Sequence, residues 1–135
     1  MPIYQVPPHA RGDAFAAQRD ELLSSLHCAL PGIVEAWHPD TRTADVRPAI
    51  PQRHADGSFT PLPLVPDAPV FLPGWADVDP EEAVHPGDEC LLIFADACID
   101  AWYATGSVQA PPLDRKHDLS DAFAFVGFHS RASGR

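Results

Sequence analysis

Sixteen prolines are spread along this chain of 135 residues rather than gathered in one tract. Proline has no backbone N–H and locks its own φ, which excludes it from helix interiors and central strands. The chain is therefore expected to hold little helix, and strands that are short and separated by turns.

One long segment can be a helix. Residues 1–12 carry Pro2, Pro7, Pro8 and Gly12 and read as an extended arm. Arg11-Gly12-Asp13 matches an adhesion tripeptide, but Asp13 serves better as a helix N-cap. From residue 13 to residue 30, Phe15, Leu22, Leu23, Leu26 and Leu30 fall on one stripe. Leu30-Pro31-Gly32 is expected to end the helix.

Beyond Gly32 the apolar period changes to alternation. "IVEAW" and "TADVRPAI" read as a hairpin around His38-Pro39-Asp40-Thr41, with Ala44, Val46 and Ile50 facing in and Thr43, Asp45 and Arg47 facing out. "HADGSFTPLPLV" holds a second hairpin at Asp56-Gly57, its Leu62 and Leu64 alternating with prolines as on an edge or bulged strand. "PVFLPG" continues as a strand to Gly74, and His85-Pro86-Gly87-Asp88 is a type II turn. "ECLLIFAD" is apolar on both faces and suits a central barrel strand, and "CIDAWYATG" reads as a further short strand. The expected architecture is mainly β: a small OB-fold-like antiparallel barrel over residues 31–130, preceded by one N-terminal helix and followed by a tail at residues 131–135.

Composition removes several function classes. Hydrophobic content of 45% with 21% charged residues describes a globular chain, and no apolar run approaches the roughly 20 residues of a membrane helix. Met1-Pro2-Ile3-Tyr4 lacks the charged-then-apolar order of a secretory leader. The net charge is −10 and the nine basic residues are scattered, which argues against a nucleic-acid partner. Cys28, Cys90 and Cys98 show no C-x-x-C spacing and read as buried thiols.

The candidates for chemistry are thin. The acidic stretch between Trp75 and Gly87 lacks the ordered ligand spacing of an EF-hand loop. His117-Asp118-Leu119-Ser120-Asp121 contains the residue types of a hydrolase triad, yet a triad is assembled from distant segments, and these residues suit a turn. The seven histidines never occur as H-x-H or H-E-x-x-H, and no glycine-rich phosphate loop is present. No catalytic residue, metal site or cofactor is expected, although a metal held by dispersed histidines stays open. Trp37, Trp75, Trp102 and Tyr103 could make a stacking platform, but without interleaved Lys and Arg they suit packing better.

Four motifs run in a fixed order: "LPGIVE", "PGDECLLIF", "CIDAWY" and "HDLSDAFA". Together they resemble the N-terminal domain of phage baseplate central spike proteins, the membrane-piercing spike family of contractile tails, over about residues 22–130. The resemblance implies an OB-fold barrel that forms a homotrimer on the tail axis, docks on a baseplate hub above and leads to a spike tip or needle below. It also implies a place in the virion tail baseplate after assembly in the host cytoplasm, with membrane contact only through the tip. Families of this kind continue into a β-helical needle, whereas this sequence stops at Arg135 without the H-x-H motif of a needle tip, so a spike base or adaptor is the expected role. The alternative is a monomeric OB-fold binding module for single-stranded nucleic acid or carbohydrate.

The last strand, "DAFAFVGF", suggests where such a trimer would touch. Alternation puts Phe123 and Phe125 on one face and Ala124, Val126 and Phe128 on the other, both apolar. Each large side chain left wet forfeits about 1.5–3 kcal/mol, against a net domain stability of roughly 5–15 kcal/mol. Phe123, Phe125, Val126 and Phe128 are the expected trimer or tip contacts, supported by Trp102 and Tyr103. Leu22, Leu23 and Leu26 are expected to pack on the barrel or on the hub.

Overall fold

In β-strand runs such as "ECLLIF" and "AFAFV" every second residue is apolar and buried, so the strands can meet across a narrow barrel. The structure is a computed structural model, and it describes residues 8–74 and 77–133. In chain order these hold α1 (Pro8–Ser25), β1 (Ala29–His38), β2 (Thr43–Pro48), β3 (Gln52–Arg53), β4 (Phe59–Thr60), β5 (Val65–Phe71), α2 (Pro80–Ala83), β6 (Glu89–Phe94), α3 (Asp100–Thr105) and β7 (Ala122–Val126). Among the described residues no helix is long and apolar enough to cross a membrane.

Five strands close a barrel in the order β1-β2-β5-β7-β6, and β3 and β4 form a separate hairpin. This is the five-stranded closed arrangement of an OB-like fold. All barrel pairs are antiparallel except β5 with β7, which run parallel and place Phe71 beside Phe125. The parallel pair follows from the chain leaving β5, building β6 across the barrel and returning through a long connection. Val34, Val46, Leu92, Phe94, Ala124 and Val126 point inward and are buried. Branched and small residues dominate there, as a small barrel with no lumen requires.

β1 is the longest strand and serves two neighbours. Its first half pairs with β6 and most of its length with β2, with a bulge between Val34 and Ala36 that turns it from one to the other. Gly32 sits at that crossing. A Cβ there would come within 2.5 Å of Val46 Cγ1, so only glycine lets the strands approach this closely. Trp37 is half-buried and donates its indole N–H to the Pro80 carbonyl (2.8 Å), which fixes α2 against the barrel.

Several sequence expectations need correction. α1 begins at Pro8 and contains Asp13, so Asp13 is not its cap and residues 8–12 are helical; the rest of the expected arm lies outside the described residues. The helix ends at Ser25, where the Ser24 and Ser25 hydroxyls donate to the Asp20 and Leu22 carbonyls and close its last turn. Leu30, Pro31 and Gly32 therefore belong to β1. Pro31 is tolerated there, and its carbonyl still accepts from the Ala49 N–H. β5 begins at Val65 and so takes in Pro66 ahead of the expected Pro69 start, and residues 61–64 are not a strand. Thr43, expected outside, is buried with its hydroxyl against that of Thr41, while Ile50 is exposed. Cys28 is exposed, whereas Cys90 and Cys98 are buried. The acidic stretch folds into α2, capped by the Asp79 carboxylate on the Glu81 N–H.

The largest departure is "DAWYAT", which is the helix α3 and not a strand. Gly106 closes it in the left-handed conformation and its N–H bonds to the Trp102 carbonyl. The pattern of Ala101, Trp102 and Tyr103 fits either period over so short a run, and the terminating glycine was the discriminating signal.

Candidate interaction face

The outer wall over β5, β7, β6 and β1 gathers the exposed aromatic residues. Strand alternation sends Ala122, Ala124 and Val126 into the barrel and Phe123 and Phe125 outward. On β6 it sends Cys90, Leu92 and Phe94 inward and Glu89, Leu91 and Ile93 outward. The register then lines up two lateral rows. Phe71, Phe125, Leu91 and Pro31 stand opposite one another across four strands, and Phe123, Ile93 and Ala29 form the row beside them. Neither row contains a charged side chain. The Phe71 and Phe125 rings meet at 5.1 Å between centroids, within the range of favourable tilted contact.

α3 extends this wall. Trp102 lies 5.9 Å from Phe123 and 6.4 Å from Tyr103, ring centre to ring centre. A buried ion pair holds the helix in place. Asp121, at the foot of β7, is 0% exposed. Its carboxylate accepts from Arg115 Nε (3.0 Å), Arg115 Nη2 (2.8 Å) and the Ile99 N–H at the start of α3 (3.1 Å). Arg115 Nη2 also reaches Asp100 of α3 (3.1 Å) and Cys98 Sγ (3.1 Å). The Asp121 hydrogen bonds, followed by those of Asp100, raise the Arg115 pKa beyond its ordinary value. Sequence reasoning treated Asp121 as a turn residue. The clue to its larger role is its place directly before an inward-facing strand start.

The sequence-derived contact residues separate into four groups. Phe123 and Phe125 lie on the outer wall, half-buried by Trp102 and Phe71, and Trp102 and Tyr103 flank them. Val126 does not join them, because its side chain is in the core. Phe128 is exposed past Gly127, beside a cleft of about 220 Å³ that Leu72, Ala83 and His129 also line. There the chain folds back on Glu89, whose carboxylate accepts from the Ser130 N–H (2.7 Å) and from the Ser133 hydroxyl. Leu22 and Leu23 are exposed on α1, and Leu26 is exposed one residue past its end. Phe71, Leu91 and Ile93 were missed, although the alternation of "PVF" and "ECLLIF" carries them.

The profile of one known family, phage protein Gp138 N-terminal domain, matches residues 30–127, more than half of the chain. The chain belongs to this family. The match covers the barrel from the start of β1 to the end of β7 and so contains every strand of the outer wall. No curated protein sequence matches the chain. Membership in the Gp138 N-terminal family makes this a phage protein, and with the small barrel it fits a structural one.

Within this Gp138-type barrel the other candidate groups are already engaged. Asp118 accepts from the Ser120 N–H (2.8 Å) in the expected side-chain turn, which lowers its pKa, and His117 contacts the His27 carbonyl (3.0 Å). Two clusters of metal-ligating types occur among the described residues. In the first, Cys98, Asp100 and Asp121 surround the Arg115 guanidinium, which supplies the positive charge itself. In the second, Asp45 accepts from His38 Nε2 (3.2 Å) and from the Asp67 N–H (3.0 Å), a tie between the ends of β1, β2 and β5. Burial pushes the Cys90 thiol up to about 11, which keeps it protonated and unreactive near neutrality. Trp75 lies outside the described residues.

Proposed function

We propose that this chain is a trimeric spike base or adaptor of a contractile-tail baseplate, joining a central hub to a spike tip. The observation that carries the reading is the uncharged outer wall, where Phe71 is 51% exposed, Trp102 45% and Tyr103 46%. Half-exposed aromatic rings of this size leave about 100 Å² each in water, a concentration typical of contact surfaces rather than of free ones. A threefold ring covers such a wall on every copy and leaves none open, which an unclosed association would not. The family adds a phage setting, and the absence of Lys and Arg from the two rows favours a protein partner over a nucleic acid. The role is mechanical: packed interfaces around the axis pass force from hub to tip without covalent chemistry.

Light scattering on the purified protein tests this. The expected mass is three times the 14.6 kDa of one chain, falling to one chain when Phe71→Ser and Phe125→Ser are combined. A monomeric wild-type protein overturns the reading. A monomer that binds an oligonucleotide in a salt-sensitive way, or an oligosaccharide, establishes the binding-module alternative instead.

A further inference from the structure

A ring built by rotation about one axis has head-to-tail contacts, in which a patch on each copy meets a different patch on the next. The trimeric reading above therefore requires a second surface besides the outer wall. Among the described residues α1 is the other concentration of exposed large apolar side chains. Phe15 and Leu22 are each 62% exposed, and Leu23 and Leu26 are exposed beside them. Ile50, Phe59, Leu64, Val108 and Leu113 are exposed as well, but they lie on separate segments.

α1 is poorly supported within its own chain. Helices of this length owe most of their stability to packing of an apolar face. The 18-residue α1 has no acidic residue in its first turn and no basic residue in its last to complement its dipole. It faces its own chain across an open groove against the β3–β4 hairpin, where Leu23 and Ala17 stand beside Asp20, Glu21, Arg53 and His54. Phe15 and Leu22 of α1, with Leu26 on the turn that continues it through the Leu26 N–H to Leu22 carbonyl bond (3.1 Å), lie on one stripe about 40° wide at about 100° per residue.

The dimensions match. α1 is about 27 Å long and about 10 Å across. The outer wall spans four strands at about 4.8 Å spacing, wide enough to seat one helix. Each seat would cover about 350 Å², taking three half-exposed large side chains and their surroundings. Each subunit takes part twice, once with its helix and once with its wall. Each contact thus buries about 350 Å² a side; the closed ring holds three of them, about 1,050 Å² of total surface for each of its two association steps, just above the roughly 1,000 Å² expected of a biological interface.

We propose that α1 of each copy lies across the outer wall of the next copy, with Phe15, Leu22 and Leu26 against Phe71, Phe125 and Ile93. The inference rests on the trimeric reading and specifies which surfaces close the ring. Leu26, His27 and Cys28 join α1 to β1 at the border of its own wall and form the short link from which it reaches the neighbour. Arg19 flanks the stripe, and its stem can lie along the apolar wall with the guanidinium at the rim.

Co-expression of two singly substituted chains tests the contact, one carrying Leu22→Cys and the other Ile93→Cys with a distinguishing tag, both in a Cys28→Ser background. A short bismaleimide is expected to join the tagged and untagged chains into one covalent pair. A second variant, Leu22→Asp with Leu26→Asp, is expected to drop the mass from three chains to one while the barrel's melting transition is retained. A trimer that gives no mixed pair, or that survives the two aspartates, overturns the seating of α1 and leaves the trimer itself standing. A cross-link within one doubly substituted chain at high dilution also overturns it. A monomeric wild-type protein overturns both readings at once.

Discussion

Leu91 and Leu92 are neighbours on β6, and the barrel wall assigns them opposite surroundings. Leu92 is fully buried among Val34, Val46 and Ala124, while Leu91 looks outward between Phe125 and Pro31. The same split runs through β7, where the inner residues are small and dry and the outer ones large and half wet. A chain that needed only to fold would be expected to keep its largest rings inside. Here the interior is filled by valines, alanines, Cys90, Leu92 and the single ring of Phe94, while Phe71, Phe123 and Phe125 of this wall are left on the outside. The contrast separates residues that hold the barrel closed from residues available to another molecule.

The sharpest way to break this contrast is to truncate each leucine in turn. Leu92→Ala removes a fully enclosed side chain and is expected to cost about 2–5 kcal/mol in urea unfolding. Leu91→Ala, measured at the same low protein concentration, is expected to cost about 1 kcal/mol or less. Equal losses would mean that the outer wall contributes to the single-chain fold as much as the core does, and the division between the two faces would fail.

Asp121 couples the two sides, because it is an inner residue that fixes an outer one. Its carboxylate bonds to Arg115 and to the Ile99 N–H, and so seats α3 with Trp102 against Phe123. Asp121→Ala loses hydrogen bonds to a charged group and is expected to cost about 1.5–3 kcal/mol. In a Trp37→Phe/Trp75→Phe background the emission of Trp102 should shift to the red as the ring loses its place. Emission that stays constant would show that α3 is held by its aromatic contacts alone.

This arrangement also explains what could be read in advance. The barrel class was legible, since dispersed prolines and short alternating or apolar runs parted by turns leave room for little but short strands. Phe123 and Phe125 were expected together on one face of their strand, and that face is the outward one. Val126 was misplaced because its own strand is apolar on both sides, and nothing local says which parity faces the core. The neighbouring rows were harder still. Phe71 meets Phe125 only because β5 and β7 run parallel, a long-range pairing that no local pattern encodes. α3 was misread as a strand because six residues with two aromatics satisfy both periods, and its anchor Asp121 lies far along the chain. Of the expected helix stripe, Phe15, Leu22 and Leu23 fall on α1 while Leu26 lies past its end and Leu30 belongs to β1, and only the folded chain shows that the barrel leaves the first four exposed.

The outer surface is not apolar all the way round, and its polar side offers the finest comparison. On β1 and β2 the outward positions carry Glu35 with Arg47, and Asp45 with His38, where β6 and β7 carry Leu91, Phe123 and Phe125. The Asp67 N–H, then the His38 hydrogen bond and charge, hold the Asp45 carboxyl below its ordinary value of 3.8 despite an opposing effect of burial. A carboxyl whose folded pKa is depressed adds stability above its unfolded pKa and loses it as the pH falls through the folded value. The advantage of wild type over Asp45→Asn in urea unfolding should therefore be full at neutral pH and shrink below about pH 4. It should be smaller than the Asp121 effect, because Asp45 is partly exposed and the amide oxygen of asparagine can still accept from Asp67. The same titration of Leu91→Ala should show no such acid-dependent difference, since no charge faces that side chain within its row. If the two variants respond alike to acid, the polar and apolar sides of the wall are not energetically distinct.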